Sequence, residues 1–313
     1  MILQESILQE NKDRFVLFPI KHKEIWDLYK KIEHRFWTPE SIFNDKSKNF
    51  CEGLSKSEKD FLIKAISFLI LKHRIFGKQS LIRFMSEVQY PEARCFFGFS
   101  EMMSNVYNET LCTISSFLCS QDDLENNVSK LMESDSIKSM VIWLDENYNN
   151  ESSFAKRLVV YSSFKRIIFS GLISNIVSLK LNSKIEEIVM LMDFIFEDEG
   201  IYTDFSISLY SQLDNKENNI TIKKIIKEVV ELEINFMKYF DDTFSNNLLK
   251  LNEVNSYTYH ISSLIEESVL SNSIKSKYNN PFSFMKWNRS FVAIDKNKKE
   301  FIMDKTISFD SDF

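Results

Sequence analysis

Apolar residues recur three and four positions apart through most of the chain, which is the spacing of one face of an α-helix. The pattern predicts helices over residues 55–88, 91–120, 154–181, 184–213, 220–244 and 253–272. One or two shorter helices are expected in the more polar stretch 121–152. Residues 154–181 are apolar nearly all round, which indicates a helix at the centre of a core.

The predicted helices have recognisable starts. Ser55 and Glu58 form a capping-box pattern, and Pro91 suits the first turn of a helix. No internal repeat or low-complexity linker divides the chain. We therefore expect an all-α fold, with one helical bundle domain over residues 1–280, of which 1–53 form an N-terminal arm. The charged stretch 281–313 is expected to be a flexible tail.

Composition supports a helical protein and excludes several classes of function. The chain has 28 Phe but only 5 Gly and 4 Pro, which favours long helices with few turns. Its net charge of −6, without a dense basic block, argues against nucleic-acid binding.

The longest apolar stretch, 61–76, is interrupted by Lys and His, so we expect no membrane span. Four cysteines without C-x-x-C spacing, and no apparent secretory signal, predict free thiols in a soluble, cytoplasmic protein.

One segment resembles half of a di-metal site. Helix bundles that hold two metal ions use glutamates and Glu-x-x-His pairs that project into the bundle. Glu199 and Tyr202 have the i, i+3 spacing of such a pair, with a phenol in place of the imidazole. The chain has four histidines, and none follows a glutamate at that spacing; the residues three positions before them are Pro19, Lys31, Ile70 and Tyr257.

Seven motifs, in order along the chain, carry a resemblance to a known family. They are RFVLFPI (14–20), FWTPE (36–40), PEARCFFGF (91–99), IFSG (168–171), DEGIYTDF (198–205), NPFSFM (280–285) and SFDSDF (308–313). Together they resemble the small, radical-generating subunit of class I ribonucleotide reductase. The resemblance runs from about residue 14 to the end of the chain, and it implies a ferritin-like helix bundle.

The resemblance also implies positions for a di-iron site, and this chain departs from the family at nearly all of them. The six positions of the family's metal ligands fall on His73, Ser104, Tyr107, Lys165, Glu199 and Tyr202. Glu199 alone keeps the family residue, and Leu111 stands where the family has its radical tyrosine. We therefore expect no metal cofactor and no catalytic residue in this chain.

The replacements suggest what fills the space. Lys165 would bring an ammonium to a place where the family holds cations, and a buried carboxylate needs a partner. We predict a Lys165–Glu199 ion pair, with His73 or Arg166 nearby, and with the Tyr107 and Tyr202 side chains hydrogen-bonding or packing around it. The alternative is an unusual metal site at Glu199 and His73.

Two further sets of residues match the family. Trp37 and Asp198 match positions on its radical-transfer route, but residues 281–313 contain no tyrosine for the next step, so we expect both to be structural. The acidic, aromatic chain end resembles the family's docking peptide for the large subunit. Its candidate contact residues are Phe309, Asp310, Asp312 and Phe313.

These observations favour a noncatalytic partner in deoxyribonucleotide synthesis. It would pair with a metal-bearing small subunit as a heterodimer, or with itself as a homodimer, and help to hold the large subunit. Whether the chain acts as an enzyme is left open. One alternative is an active small subunit with an unusual metal site or a radical on an aromatic such as Tyr107. Another is a bundle that binds an apolar ligand.

Overall fold

The computed structural model describes residues 5–10, 12–43, 54–73, 78–168, 170–179, 185–240, 249–271 and 276–282. Across these ranges the regular structure is entirely helical, which confirms the predicted all-α class. The α-helices are α1 Lys23–His34, α2 Lys56–Lys72, α3 Lys78–Glu87, α4 Pro91–Leu118, α5 Gln121–Glu133, α6 Asp135–Asn147, α7 Phe154–Ile167, α8 Ser170–Leu179, α9 Glu186–Ser211, α10 Asn219–Lys238 and α11 Leu251–Ser271. Short 3-10 helices occupy Ser6–Leu8, Lys12–Phe15 and Pro39–Ser41.

The helices begin where side chains satisfy their first backbone N–H groups. The predicted capping box is present, because Ser55 Oγ accepts from the Glu58 N–H while Glu58 Oε2 accepts from the Ser55 N–H at 2.8 Å. Pro91 is at the first position of α4, as predicted. Ser or Asn caps also start α5, α6, α7 and α10.

Three helical features differ from the sequence prediction. The segment 154–181 forms two helices, α7 and α8, because Ile168 has a ψ of 49° and leaves the helical region. The segment 55–88 contains α2 and α3 on either side of residues 74–77, which lie outside the described part of the chain. Within the expected N-terminal arm, α1 was not predicted, and it packs against α4 and α9.

Helix α7 lies at the centre of the core, as its nearly uniform apolar character predicts. All of its residues except Lys156 are buried, and it packs against α6, α9, α10 and α11. A helix surrounded in this way must also bury its polar residues. Arg157, Lys165 and Arg166 therefore need partners inside the protein.

No described helix combines the length and apolar character needed to cross a membrane. Cys95, Cys112 and Cys119 are free thiols. The predicted tail lies outside the described residues from position 283 onward.

Candidate functional site

A buried ion cluster joins three helices at the centre of the bundle. Lys165 on α7 places its Nζ 3.2 Å from Oε1 of Glu199 on α9, which is the predicted ion pair. Lys72, the last residue of α2, places its Nζ 3.7 Å from the same carboxylate oxygen. The exposed fractions of the three side chains are only 8%, 1% and 3%, so little solvent screens these charges.

Lys72 is the member of this cluster that the sequence analysis missed. Its Nζ also donates to the Lys165 carbonyl oxygen at 3.4 Å, which ties α2 to α7. Burial lowers the Lys72 pKa to about 8, while the nearby charge of Glu199 opposes this shift. The sequence feature that could have indicated this role is the position of Lys72 inside the apolar stretch 61–76.

A second buried carboxylate lies near Lys72. Glu233 on α10 is fully buried, and its Oε1 accepts from the Gly171 N–H in the first turn of α8 at 3.0 Å. Burial raises the Glu233 pKa to about 8, and the charge of Lys72 acts in the opposite direction. With Lys72, Lys165 and Glu199, the cluster holds two potential cations and two potential anions. The potential cations and anions are equal in number, and the raised pKa leaves Glu233 largely protonated near neutral pH.

Glu233 was also missed, although the pattern of α10 could have indicated it. The buried positions of this helix include Ile226, Val229, Val230, Phe236 and Met237. Glu233 falls on the same helical face. A lone carboxylate on an apolar face indicates a buried cation or a helix start nearby.

A hydrogen-bonded pair of tyrosines lies beside the ion cluster. Tyr107 on α4 donates its hydroxyl hydrogen to Asp198 Oδ2 at 2.7 Å. The Tyr107 and Tyr202 hydroxyl oxygens are 2.9 Å apart, and since the Tyr107 hydrogen is already directed to Asp198, Tyr202 is the donor. The two phenols therefore form a directed chain that ends at Asp198.

Asp198 also holds the loop that follows α1. Trp37 Nε1 donates to Asp198 Oδ2 at 3.0 Å, and the Trp37 ring stacks on Tyr107 with centroids 5.5 Å apart. Arg35 Nε lies 3.6 Å from Asp198 Oδ1, and the Arg35 guanidinium also pairs with Glu197. Burial raises the Asp198 pKa to about 6 despite these donors. Trp37 and Asp198 are thus hydrogen-bond partners, and Arg35 is a third group that the sequence analysis missed.

The remaining candidate positions lie near the cluster without joining it. His73 is buried with its ring centroid 5.0 Å from that of Tyr107, and burial lowers its pKa well below the usual value. Its Nε2 has no hydrogen-bond partner among the described residues. Ser104 is half-buried one turn before Tyr107 on α4, and Leu111 is fully buried.

Arg166 serves a different part of the core. Its Nη1 donates to the Phe196 carbonyl oxygen at 2.9 Å, and its guanidinium carbon lies 3.7 Å from the centroid of the Phe196 ring. The second cation on Glu199 Oε1 is therefore Lys72. His73 and Arg166 were predicted to lie near the Lys165–Glu199 pair; the His73 ring lies against Tyr107, and the Arg166 guanidinium lies against Phe196.

The donor set around Glu199 does not fit a pair of iron ions. Among the described residues, no three His, Cys, Asp or Glu side chains are placed to share a metal ion. One carboxylate oxygen of Glu199, Oε1, already faces the Lys165 and Lys72 ammonium groups. An additional cation there would meet strong repulsion at low dielectric.

The space beside the cluster is small. A cavity of about 10 Å³, lined in part by Lys72, Tyr161 and Lys165, has room for roughly one water molecule. Pockets for small organic ligands typically measure about 300 to 1,000 Å³. This cavity therefore does not support the alternative of an apolar ligand at the site.

The candidate docking residues Phe309, Asp310, Asp312 and Phe313 lie outside the described residues. Their role stays a prediction from the sequence.

Comparisons with known proteins agree with the bundle architecture. The family model described as "Ribonucleotide reductase, small chain" matches residues 14–269. The ribonucleoside-diphosphate reductase small chain of Schizosaccharomyces pombe is 33% identical over 290 residues, which cover 90% of this chain and 73% of that protein. The small subunit from Dictyostelium discoideum is 33% identical over 285 residues, with 90% and 83% covered.

A solved structure extends this similarity to three dimensions. The ribonucleotide reductase Rnr4 homodimer from Saccharomyces cerevisiae superposes with a TM-score of 0.79 at 27% identity. The match covers 90% of this chain and 89% of that one. The predicted ferritin-like bundle is thereby confirmed.

Proposed function

This chain belongs to the small-chain family of ribonucleotide reductase, and from that premise we propose that it supports deoxyribonucleotide synthesis as a noncatalytic structural partner. In this role it assembles with a metal-bearing small subunit and with the large subunit. It does not itself supply the radical.

The observation that carries the proposal is the pair of ammonium groups on Glu199. Lys165 and Lys72 approach one carboxylate oxygen at 3.2 and 3.7 Å, and they provide the positive charge that the family's metals provide elsewhere. The bundle can thus remain folded around its carboxylates without iron. Leu111, fully buried at the family's radical position, has a side chain that cannot be oxidised to a phenoxyl radical.

Trp37 and Asp198, the two residues that match the family's radical-transfer positions, fit a structural role. Asp198 joins Trp37 to Tyr107 through two hydrogen bonds and so connects the segment after α1 to α4 and α9. These contacts stabilise the fold whether or not Trp37 and Asp198 take part in electron transfer. Their retention is therefore compatible with a chain that has no radical of its own.

The partners follow from the family and from the chain end. The Rnr4 structure is a homodimer, and the proposed assembly is a dimer of this chain with itself or with a metal-bearing small subunit. The acidic, aromatic residues Phe309 to Phe313 are proposed to dock on the large subunit. Free thiols at Cys95, Cys112 and Cys119 suit a cytoplasmic location.

A second candidate function is an active small subunit that uses an unusual metal site and a radical on Tyr107. The observation in its favour is the 2.7 Å hydrogen bond from the Tyr107 hydroxyl to Asp198. In this second function, the Asp198 carboxylate accepts the phenol proton when Tyr107 is oxidised. Radical spectroscopy after aerobic loading with iron or manganese distinguishes the two candidates. A tyrosyl signal from the chain alone would support this second function.

Metal content tests the first proposal directly. The full chain is loaded aerobically with iron or manganese and desalted, and its metal is quantified alone and in complex with a metal-bearing small subunit. We expect less than stoichiometric metal in this chain and a full complement in the partner. Stoichiometric metal in the isolated chain would contradict the proposal.

Assembly is tested with the same preparations. Reductase activity is measured for the large subunit and a metal-bearing small subunit with and without this chain. A variant lacking residues 309–313 is the matched control for docking on the large subunit. We expect the full chain to bind the large subunit and raise activity, and the truncated chain to lose that binding while still pairing with the small subunit.

A further inference from the structure

Glu92, the second residue of α4, is buried at a site that the proposed function does not use. Its side chain is 1% exposed, and Oε1 accepts from the backbone N–H groups of Lys21 and His22 at 2.8 and 3.1 Å. These bonds hold the segment before α1 against the start of α4. They account for one of the two carboxylate oxygens.

The other oxygen faces a different environment. Glu92 Oε2 is buried and has no hydrogen-bond partner among the described residues. Glu92 lines a cavity of about 60 Å³, whose walls also include Leu17, Pro19 and Tyr90. The cavity has the volume of several water molecules, enough for one ammonium or guanidinium group. A buried carboxylate oxygen without a donor is costly, so a group that donates to it would bind favourably.

The chain segment beside this cavity exposes large apolar side chains. Val16 lines the cavity, and the exposed fractions of Phe15, Val16 and Phe18 are 76%, 62% and 68%. Three large apolar side chains exposed along four residues are typical of an interaction surface. On the inner side, the His22 ring stacks on Tyr90 with centroids 3.6 Å apart, which gives the cavity a rigid wall.

We propose that this cavity, the Glu92 site, binds the ammonium or guanidinium group of a basic side chain on a partner polypeptide. The basic group donates to Glu92 Oε2, and apolar residues beside it in the partner pack on Phe15, Val16 and Phe18. The carboxylate determines the charge of the ligand, since an anion would be repelled. The net charge of −6 also favours a basic partner.

Among the described residues that line the cavity, Lys21 and His22 can carry a positive charge. Lys21 borders the cavity, but its side chain is exposed, where water and salt screen its charge. A guanidinium inside the cavity would form a charge-assisted hydrogen bond that is protected from solvent. Arginine is therefore the side chain that the site should prefer.

Calorimetry with the full chain tests the proposal. The probe is a capped Leu-Arg-Leu peptide, and the matched neutral probe carries citrulline in place of arginine. We expect the arginine peptide to bind at least about tenfold more tightly, as a charge-assisted hydrogen bond in a buried site should give. The Lys21 and His22 backbone amides, which donate to the same carboxylate, should shift in NMR spectra when the arginine peptide is added.

Glu92→Gln is the informative variant. Its carbonyl oxygen can keep the two backbone hydrogen bonds, while its NH₂ group replaces the second carboxylate oxygen, which has no donor among the described residues. We expect it to lose about tenfold in affinity for the arginine peptide. Glu109→Gln, at an exposed position on the same helix, should bind like the unmodified chain.

Several results would overturn the proposal. Equal affinity for the arginine and citrulline peptides would do so, as would unchanged binding to Glu92→Gln. Absence of binding at a millimolar concentration of the arginine peptide would also overturn it. Binding without shifts of the Lys21 and His22 backbone amides would overturn it as well. If Glu92→Gln fails to fold by circular dichroism, the two peptides and the amide shifts on the unmodified chain still decide.

Discussion

Glu199 Oε1 lies 3.7 Å from Lys72 Nζ, and it is the same oxygen that the Lys165 ammonium contacts at 3.2 Å. Burial, together with the charge of Lys165, lowers the Lys72 pKa to about 8, although the charge of Glu199 opposes this shift. Glu233, the second buried carboxyl group near Lys72, has its pKa raised by burial to about 8. The cluster is a coupled set of buried ionisable side chains, and its stability depends on all of its members.

Replacing Lys165 with methionine should destabilise the protein. The substitution keeps most of the side-chain volume and removes the nearer ammonium group, while the Lys72 Nζ remains 3.7 Å from Glu199 Oε1. Removing one partner of a buried ion pair typically costs about 3 to 5 kcal/mol, and we expect about 2 to 3 kcal/mol because Lys72 remains. The free energy of unfolding from a denaturant titration measures this loss.

The matched control is Lys227→Met on the surface of α10. Lys227 pairs with Glu231 at 3.7 Å, but the two side chains are 78% and 59% exposed. Exposed pairs of this kind contribute little, so the control should change stability by less than about 0.5 kcal/mol. If Lys165→Met costs no more than Lys227→Met, the ion cluster does not stabilise the core.

The directed hydrogen bonds of Tyr107 and Tyr202 predict an order of effects. Tyr107→Phe removes a donor to Asp198 and the acceptor of Tyr202, so two buried groups lose a partner. Tyr202→Phe removes only a donor to Tyr107, which keeps its bond to Asp198. We expect losses of about 2 and about 1 kcal/mol, respectively, in the free energy of unfolding. Equal losses, or a larger loss for Tyr202→Phe, would contradict the assigned direction.

Local patterns predicted the larger part of the fold. Ser55, Glu58 and Pro91 set helix starts through contacts within a few residues, so the sequence contains the whole signal. The helix break at Ile168 could not be predicted from contacts within a few residues. It accompanies a contact between Gly171 and Glu233, which are 62 positions apart. The turn places α8 where it packs against α9, α10 and α11, of which α10 and α11 are distant in sequence.

The candidate site was predictable in its composition and less so in its geometry. The Lys165–Glu199 pair followed from the need of a buried carboxylate for a cation. The sequence did not show that Lys72 would be the second cation at Glu199 in place of Arg166, because this depends on the direction in which each side chain points from its helix. Arg166 follows Lys165 directly and therefore faces another part of the core, against Phe196.

Asp198 should make stability depend on pH between about 4 and 6. Burial raises its pKa from 3.8 to about 6 in the folded protein, so the folded state binds more protons than the unfolded state in this window. The free energy of unfolding should therefore fall as pH rises, by at most about 3 kcal/mol relative to Asp198→Asn, which does not titrate. Denaturant titrations of both proteins from pH 4 to 7 measure the difference. A constant difference would contradict the raised pKa.

Gly171 and Gly98 should respond to alanine in opposite directions. A Cβ on Gly171 would come within 2.7 Å of Met237 Sδ and 2.9 Å of Glu233 Oε1, so alanine must displace side chains that hold α8 against α10. We expect Gly171→Ala to cost about 1 to 3 kcal/mol, as overpacking does. A Cβ on Gly98 meets nothing within 4 Å, and alanine there should stabilise α4 by about 0.5 to 1 kcal/mol. Thermal unfolding of both variants provides the comparison, and a stabilised Gly171→Ala would show that α8 and α10 can separate without loss.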